Sequence, residues 1–197
     1  MSEYGQINET TKRWQLIQNT IKNNKFKTIV EIGTWKGLGS TLAVLKSKDD
    51  DTDFFSLESN LDFYSVAKKN LESYNDKVKL LYGRIIEISE VENFVNENSL
   101  TSEQLRWLES DIKDFKNSPN VLNNLPDNID FLILDGGEFS TYPEWGKLKD
   151  RSKFVALDDI NVLKCNRIYR ELSSNSNYTL INSVDEGNGF CIFRRND

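Results

Sequence analysis

The sequence contains no histidine. That absence excludes Ser-His-Asp and Cys-His triads, histidine general bases and histidine-ligated zinc, and it leaves acid–base chemistry to carboxylates, lysine, tyrosine or water. Cysteine is scarce too. Cys165 and Cys191 have no CxxC or metal-ligand spacing, and two such thiols in a cytosolic chain are expected to be reduced and structural. Long apolar runs are missing: FLIL at 131–134 is far short of the ~20 residues a membrane helix requires, and residues 1–26 hold no apolar core of a secretory signal. The expected location is the cytoplasm, with no membrane partner. Basic clusters are also wanting. The 25 Lys and Arg are outnumbered by 31 Asp and Glu, for a net charge of −6, whereas a non-specific grip on nucleic acid needs grouped cations. A small or sugar-like substrate suits this surface better than nucleic acid.

What is present describes one globular domain over residues 1–197, with 38% hydrophobic and 28% charged residues. Within residues 1–26, Trp14, Ile17 and Ile21 fall at helical spacing and predict an amphipathic packing helix over 8–24. TIVEIG at 28–33 is a β-branched run stopped by glycine, and a helix over 39–47 follows it. The unit recurs as strand 53–58 with helix 61–73, strand 77–83 with a helix from about 86, strand 129–135 with helix 142–149, and strand 153–159 with helix 162–173. Alternating units of this kind with right-handed crossovers predict a doubly wound, Rossmann-like α/β domain on a parallel sheet. YTLINSV (178–184) and GFCIFRR (189–195) are joined only by DEGN, too short for a crossover, so they predict a C-terminal antiparallel hairpin and a seven-stranded, mostly parallel sheet. Residues 89–128 exceed a normal connection, are acidic, and are interrupted by Pro119 and Pro126; they form a candidate lid.

The richest segment is EIGTWKGLGS (31–40), at the turn from the first strand into the first helix. Its glycines permit close backbone approach to a ligand, yet the dinucleotide fingerprint would require glycine at 35 and 38, where Trp35 and Leu38 stand. Glu31 lies in an apolar strand and needs a partner, either backbone amides or a ligand amine. Glu58 ends the second strand 25 positions beyond Gly33, near the spacing of a carboxylate that binds ribose hydroxyls.

Asp135, in LDGGEFSTY, and the pair Asp158 and Asp159, in LDDIN, end adjacent strands and are expected to converge. Two like charges at ~4 Å repel by roughly 4 kcal/mol at an effective dielectric of 20, so something must neutralise them. A hard divalent cation such as Mg²⁺ is one solution. The other has Asp159 capping the next helix, Asp158 paired with Lys or Arg, and Asp135 contacting only a ligand. Tyr142, Trp145 and Trp107 are candidate walls of a substrate pocket, although aromatic residues at helical spacing are more often core.

In order and spacing, EIGTWKGLGS, FFSLESN, LLYGRIIE, FLILDGG and FVALDD resemble the motifs of class I S-adenosylmethionine (SAM)-dependent methyltransferases, over a catalytic core of residues 27–194. The resemblance implies SAM as cofactor. It places Glu31, Gly33, Thr34 and Gly37 along the methionine and ribose portion, Glu58 on the ribose, Arg84 and Ile85 beside adenine, and Asp135 at the transferred methyl. The family's third loop glycine is displaced here to Gly39. Metal-dependent O-methyltransferases place acids where Asp135, Asp158 and Asp159 stand. Glu138 occupies the place of a lysine base in some relatives, and its carboxylate could take the acceptor's proton. The implied function is methyl transfer to a hydroxyl of a small molecule, sugar or glycan precursor, with a homodimer as an allowed assembly. A non-catalytic SAM-binding or assembly protein and an NAD-dependent oxidoreductase are the alternatives.

Overall fold

Alternation within the strands decides the architecture. In the computed structural model, which describes residues 5–196, strands β1 (Thr28–Ile32), β4 (Ile129–Leu134) and β5 (Ser152–Asp158) are apolar on both faces. Ile29, Phe131, Ile133, Phe154 and Ala156 enter one core, while Val30, Leu132, Leu134, Val155 and Leu157 enter a second. A strand apolar on both sides is stable only when helices cover both faces.

The other strands are β2 (Asp53–Glu58), β3 (Lys79–Tyr82), β6 (Tyr178–Val184) and β7 (Phe190–Arg195). Together they make one seven-stranded sheet of order β3-β2-β1-β4-β5-β7-β6. Pairing is parallel from β3 through β5, and β7 runs antiparallel to both β5 and β6. The expected hairpin is therefore present, with β7 inserted between β5 and β6.

Helices α1 (Lys12–Lys22) and α2 (Ser40–Leu45) pack on the first core. Helix α3 (Leu61–Asn70) covers the β2–β3 side, and α4 (Ile88–Asn96), α6 (Thr141–Leu148) and α7 (Leu163–Ser174) cover the second core. Thr11 caps α1 by accepting from the Trp14 amide, and Trp14, Ile17 and Ile21 are buried as their spacing implied. The helix is shorter than 8–24. Its first turn starts at the Asn8–Thr11 cap, where Thr10 and Thr11 bond to Asn8. Residues 89–128 fold into the end of α4 and into α5 (Ser102–Asn117), a helix opened by a Thr101/Gln104 capping box. No helix among the described residues is long and apolar enough to cross a membrane.

The turn after β1 is the tightest constraint. Gly33 has φ +97°, and a Cβ there would stand 2.1 Å from the backbone oxygen of Asp135. Gly33→Ala is expected to lower thermal stability sharply, because both the backbone conformation and the contact forbid a methyl. Gly146, inside α6 with nothing near its Cβ position, is the control. Gly146→Ala should stabilise by about 0.5–1 kcal/mol, read from urea unfolding.

Candidate active site

The parallel strands all end at one edge of the sheet, where two cavities lie side by side. The larger, about 410 Å³, is lined by Gln6 and Ile7, Thr34, Trp35 and Ser40, and by Asp135, Asp158, Asp159 and Lys164. The second, about 280 Å³, is lined by Glu58, Asn60, Arg84 and Ile85, by Asp111 and Asp114 of α5, and by Ser140 and Glu144 of α6. Gly33, Trp35 and Asp135 belong to both. The absence of a side chain at Gly33 lets the β1 turn lie directly against Asp135 at this junction. The Gly33 and Thr34 amides both donate to the Leu57 carbonyl at 3.0 Å, which fixes the turn to β2.

Trp35 follows in the left-handed region at φ +50°, uncommon for a bulky residue. Its amide donates to Glu58 Oε2 at 2.7 Å, and its ring meets Phe63 edge-on at 6.0 Å. Glu58 Oε1 accepts from the Asn60 amide at 2.9 Å. Burial nevertheless pushes the Glu58 carboxyl up to about 7. The same desolvation raises Asp111 to about 7, helped by Asp114 and Glu138, and raises Glu144 to about 8. Five carboxylates thus line the second cavity and its junction, with Arg84 the one cation among the described residues that line it. The Arg84 Nε and Nη1 atoms are buried without a hydrogen-bond partner among the described residues.

Glu31 behaves as a buried acid held by hydroxyls, not by amides. Its Oε2 accepts from Thr41 at 2.7 Å and Ser56 at 2.5 Å, Oε1 has no partner, and burial raises the carboxyl to about 7. It sits beneath the glycine turn and lines neither cavity. Gly37 also stands back: its Cβ position is filled by Leu71 at 2.9 Å, so its φ of +75° serves the turn's packing. Gly39 does line the larger cavity.

Asp135, Asp158 and Asp159 converge as expected, but a divalent cation does not fit among them. The Lys164 ammonium occupies that place, 2.7 Å from Asp135 Oδ1, 3.3 Å from Asp159 Oδ2 and 3.7 Å from Asp158 Oδ2. On the far side the Arg13 guanidinium, 1% exposed, bonds Asp158 Oδ1 at 2.7 Å and the Glu186 carbonyl. Burial alone would lower the Lys164 pKa, yet the three aspartates together raise it well above its ordinary value, so it stays charged. Among the described residues no group of three acidic or thiol side chains could hold a metal ion. Asp158 pairs with Lys and Arg as the second solution had it, but Asp159 does not cap α7, whose N-cap is Val162, and Asp135 bonds Lys164 instead of being left to a ligand alone.

Glu138 lines neither cavity. Its half-buried carboxyl is raised by burial and held by Gln104 and by the backbone at Leu163. Tyr142 bonds Glu171 and stacks on Phe94, away from both cavities, while Trp145 is core and Trp107 is 48% exposed on α5. Arg13, Lys164, Asp111, Asp114 and Glu144 were not singled out from the sequence. Lys164 could have been, since an acid pair demands a counter-ion and Lys164 is the nearest cation downstream.

No protein-family model matches the sequence, and no curated protein matches it. Solved structures do. An O-methyltransferase from Bacillus cereus in complex with SAH superposes with TM-score 0.65 at 14% identity, covering 98% of this chain and 84% of that one. A methyltransferase from Geobacter sulfurreducens gives TM-score 0.65 at 12% identity, over 96% and 81%. TomG from Streptomyces achromogenes, an O-methyltransferase of tomaymycin synthesis in complex with SAM, gives 0.62 at 13%, over 93% and 79%. The fold is that of the class I SAM-dependent methyltransferases.

The raised carboxyls carry a stability consequence. Glu58, Asp111 and Glu144 have folded pKa values of about 7, 7 and 8, above those of the unfolded chain. The folded state therefore binds more protons between about pH 4.5 and 8, and stability falls as pH rises through that window. Urea unfolding at pH 5.5 and 8.5 should show the loss, and Glu144→Gln should reduce it by gaining stability relative to wild type at pH 8.5. Equal losses in both proteins would contradict this origin.

Proposed function

We propose that the protein is a SAM-dependent methyltransferase acting on a hydroxyl of a small molecule, sugar or glycan precursor. The observation that carries the donor assignment is the pair of cavities meeting at Gly33 and Asp135, one of them ringed by carboxylates. SAM carries a sulfonium and an ammonium against one carboxylate, so an acid-lined cavity suits it. The same lining repels the pyrophosphate of a dinucleotide, which disfavours the oxidoreductase alternative.

When bound, SAM supplies an electrophilic methyl group on sulfur. In this reading Glu58, held at the end of β2 by two backbone amides, accepts hydrogen bonds from the ribose hydroxyls. Ile85 offers an apolar surface to adenine, and Arg84 lines the cavity beside it. Gly33 and Thr34 let the amino-acid portion approach the backbone. Asp135, shared by both cavities, stands at the crossing point between donor and acceptor. Positioning then supplies most of the acceleration. O-methylation is supported by the neighbours' own descriptions as O-methyltransferases. The acid trio, already neutralised by Lys164, gives no support to magnesium assistance.

Calorimetric titration with SAM and with S-adenosylhomocysteine (SAH), using NADH as control, tests the proposal. Micromolar binding of both sulfur compounds, weakened at least tenfold in Glu58→Ala, is expected, with none for NADH. SAM affinity should rise from pH 6 to 8 more than SAH affinity does, because a cationic sulfur gains most as Glu58, Asp111 and Glu144 ionise. Absence of binding by either sulfur compound would overturn the donor assignment.

A further inference from the structure

We propose that Asp159 and Lys164 together hold and activate the acceptor hydroxyl in the larger cavity, doing without a metal what a metal and a base would otherwise share. The proposal rests on the donor reading above and adds to it two catalytic residues and a chemical class of acceptor.

Three independent observations meet at Asp159. It is a non-glycine residue at φ +61°, a conformation that costs energy and persists only where the surroundings enforce it. Enforcement comes from the end of the β6–β7 turn, where the Gly189 carbonyl accepts from the Asp159 amide at 2.9 Å. The residue is 8% exposed and lines the larger cavity. Within that burial, Oδ1 has no hydrogen-bond partner among the described residues, since the Arg13 guanidinium approaches only to 3.8 Å. A buried carboxylate oxygen without a donor is costly unless a ligand supplies one.

Lys164 is the complement. Its ammonium has three N–H groups, and among the described residues only Asp135 at 2.7 Å and Asp159 Oδ2 at 3.3 Å are within hydrogen-bond distance. Asp158, at 3.7 Å, attracts the charge without taking the third proton. Asp159 and Lys164, which both line the cavity, thus hold an unfilled acceptor and an unfilled cationic donor in neighbouring side chains. A neutral hydroxyl fits both, giving its proton to Asp159 Oδ1 and accepting from Lys164. A carboxylate has no proton for Asp159 and meets three acids, whereas a protonated amine has no lone pair for Lys164.

The step balances. The acceptor oxygen forms a bond to the methyl carbon as the carbon–sulfur bond breaks, and the electron pair goes to sulfur. The hydroxyl proton passes to Asp159, which is left as a carboxylic acid. Lys164 remains an ammonium throughout and stabilises the negative charge developing on oxygen.

The test uses the full chain with radiolabelled-methyl SAM against phenols, catechols, hexoses and hydroxy acids, with simple amines and hydroxyl-free carboxylic acids as comparators. Calorimetry of SAH, and of the best acceptor on the SAH-loaded protein, is run alongside. Methylation of hydroxyl compounds alone is expected, unchanged by a metal chelator. Asp159→Asn should lower kcat about a hundredfold with SAH affinity within twofold of wild type. Lys164→Met should weaken acceptor binding about tenfold, and Lys164→Arg should restore part of it. If Lys164→Met fails to fold, Asp159→Asn and Lys164→Arg still decide. Methylation of amines, dependence on a divalent cation, or an Asp159→Asn kcat within threefold of wild type would each overturn the proposal. SAH binding with no hydroxyl compound methylated would overturn it and leave the donor reading standing, whereas failure of SAH to bind would remove the donor reading itself.

Discussion

The arrangement depends on one buried electrostatic cluster. Asp135, Asp158 and Asp159 end two adjacent parallel strands, so the topology itself forces like charges together in a place with little water. Lys164 and Arg13 make that geometry tolerable by standing on either side of it. Buried ion clusters of this kind add little net stability, but losing one partner leaves an uncompensated charge and is strongly destabilising. The cluster therefore fixes arrangement more than it adds stability. Through it α1, α7, the ends of β4 and β5, and the β6–β7 turn are held at one corner of the sheet.

The rest of the site is built outward from that corner. The β1 turn, flattened by Gly33, presses against Asp135 and divides the space at the sheet edge into two cavities. One is governed by the charge balance of the cluster. The other is walled by acids of which Glu58, Asp111 and Glu144 are kept by desolvation at the edge of ionisation near neutral pH. The segment 89–128 contributes through α5, which brings Asp111 and Asp114 to that wall, and through the Asn60–Asp114 hydrogen bond at 2.9 Å.

Much of this was legible in the residues. Short hydrophobic runs gave every strand to within two residues at either end, and a four-residue link between 184 and 189 could only join antiparallel strands. Glu58, Asp135, Asp158 and Asp159 were legible because strand ends in a doubly wound sheet share one crevice. Partners separated widely in sequence were not. Arg13 lies 145 positions from Asp158 and sits on an amphipathic helix whose polar residues all look solvated until the helix is docked. Glu144 and Asp111 read as ordinary surface acids because helical periodicity says which face is apolar, not which polar residue a neighbouring loop will cover. Glu138 shows the converse: its position beside Asp135 suggested chemistry, but the backbone turn directs it to Gln104 and the start of α7.

The route of Arg13 sets how this chain can vary. A Cβ at Gly187 would stand 2.0 Å from an Arg13 guanidinium nitrogen, so the arginine reaches Asp158 only because the β6–β7 turn carries no side chain there. Asp158, Arg13 and Gly187 thus form a set in which replacement of one member changes what is acceptable at the other two. Neutralising Asp158 strands a buried guanidinium, shortening Arg13 strands a carboxylate, and a larger residue at 187 does the same by displacement. Viable substitutions at this corner must arrive in combination, so mutational paths through it are narrow and their effects are epistatic, not additive.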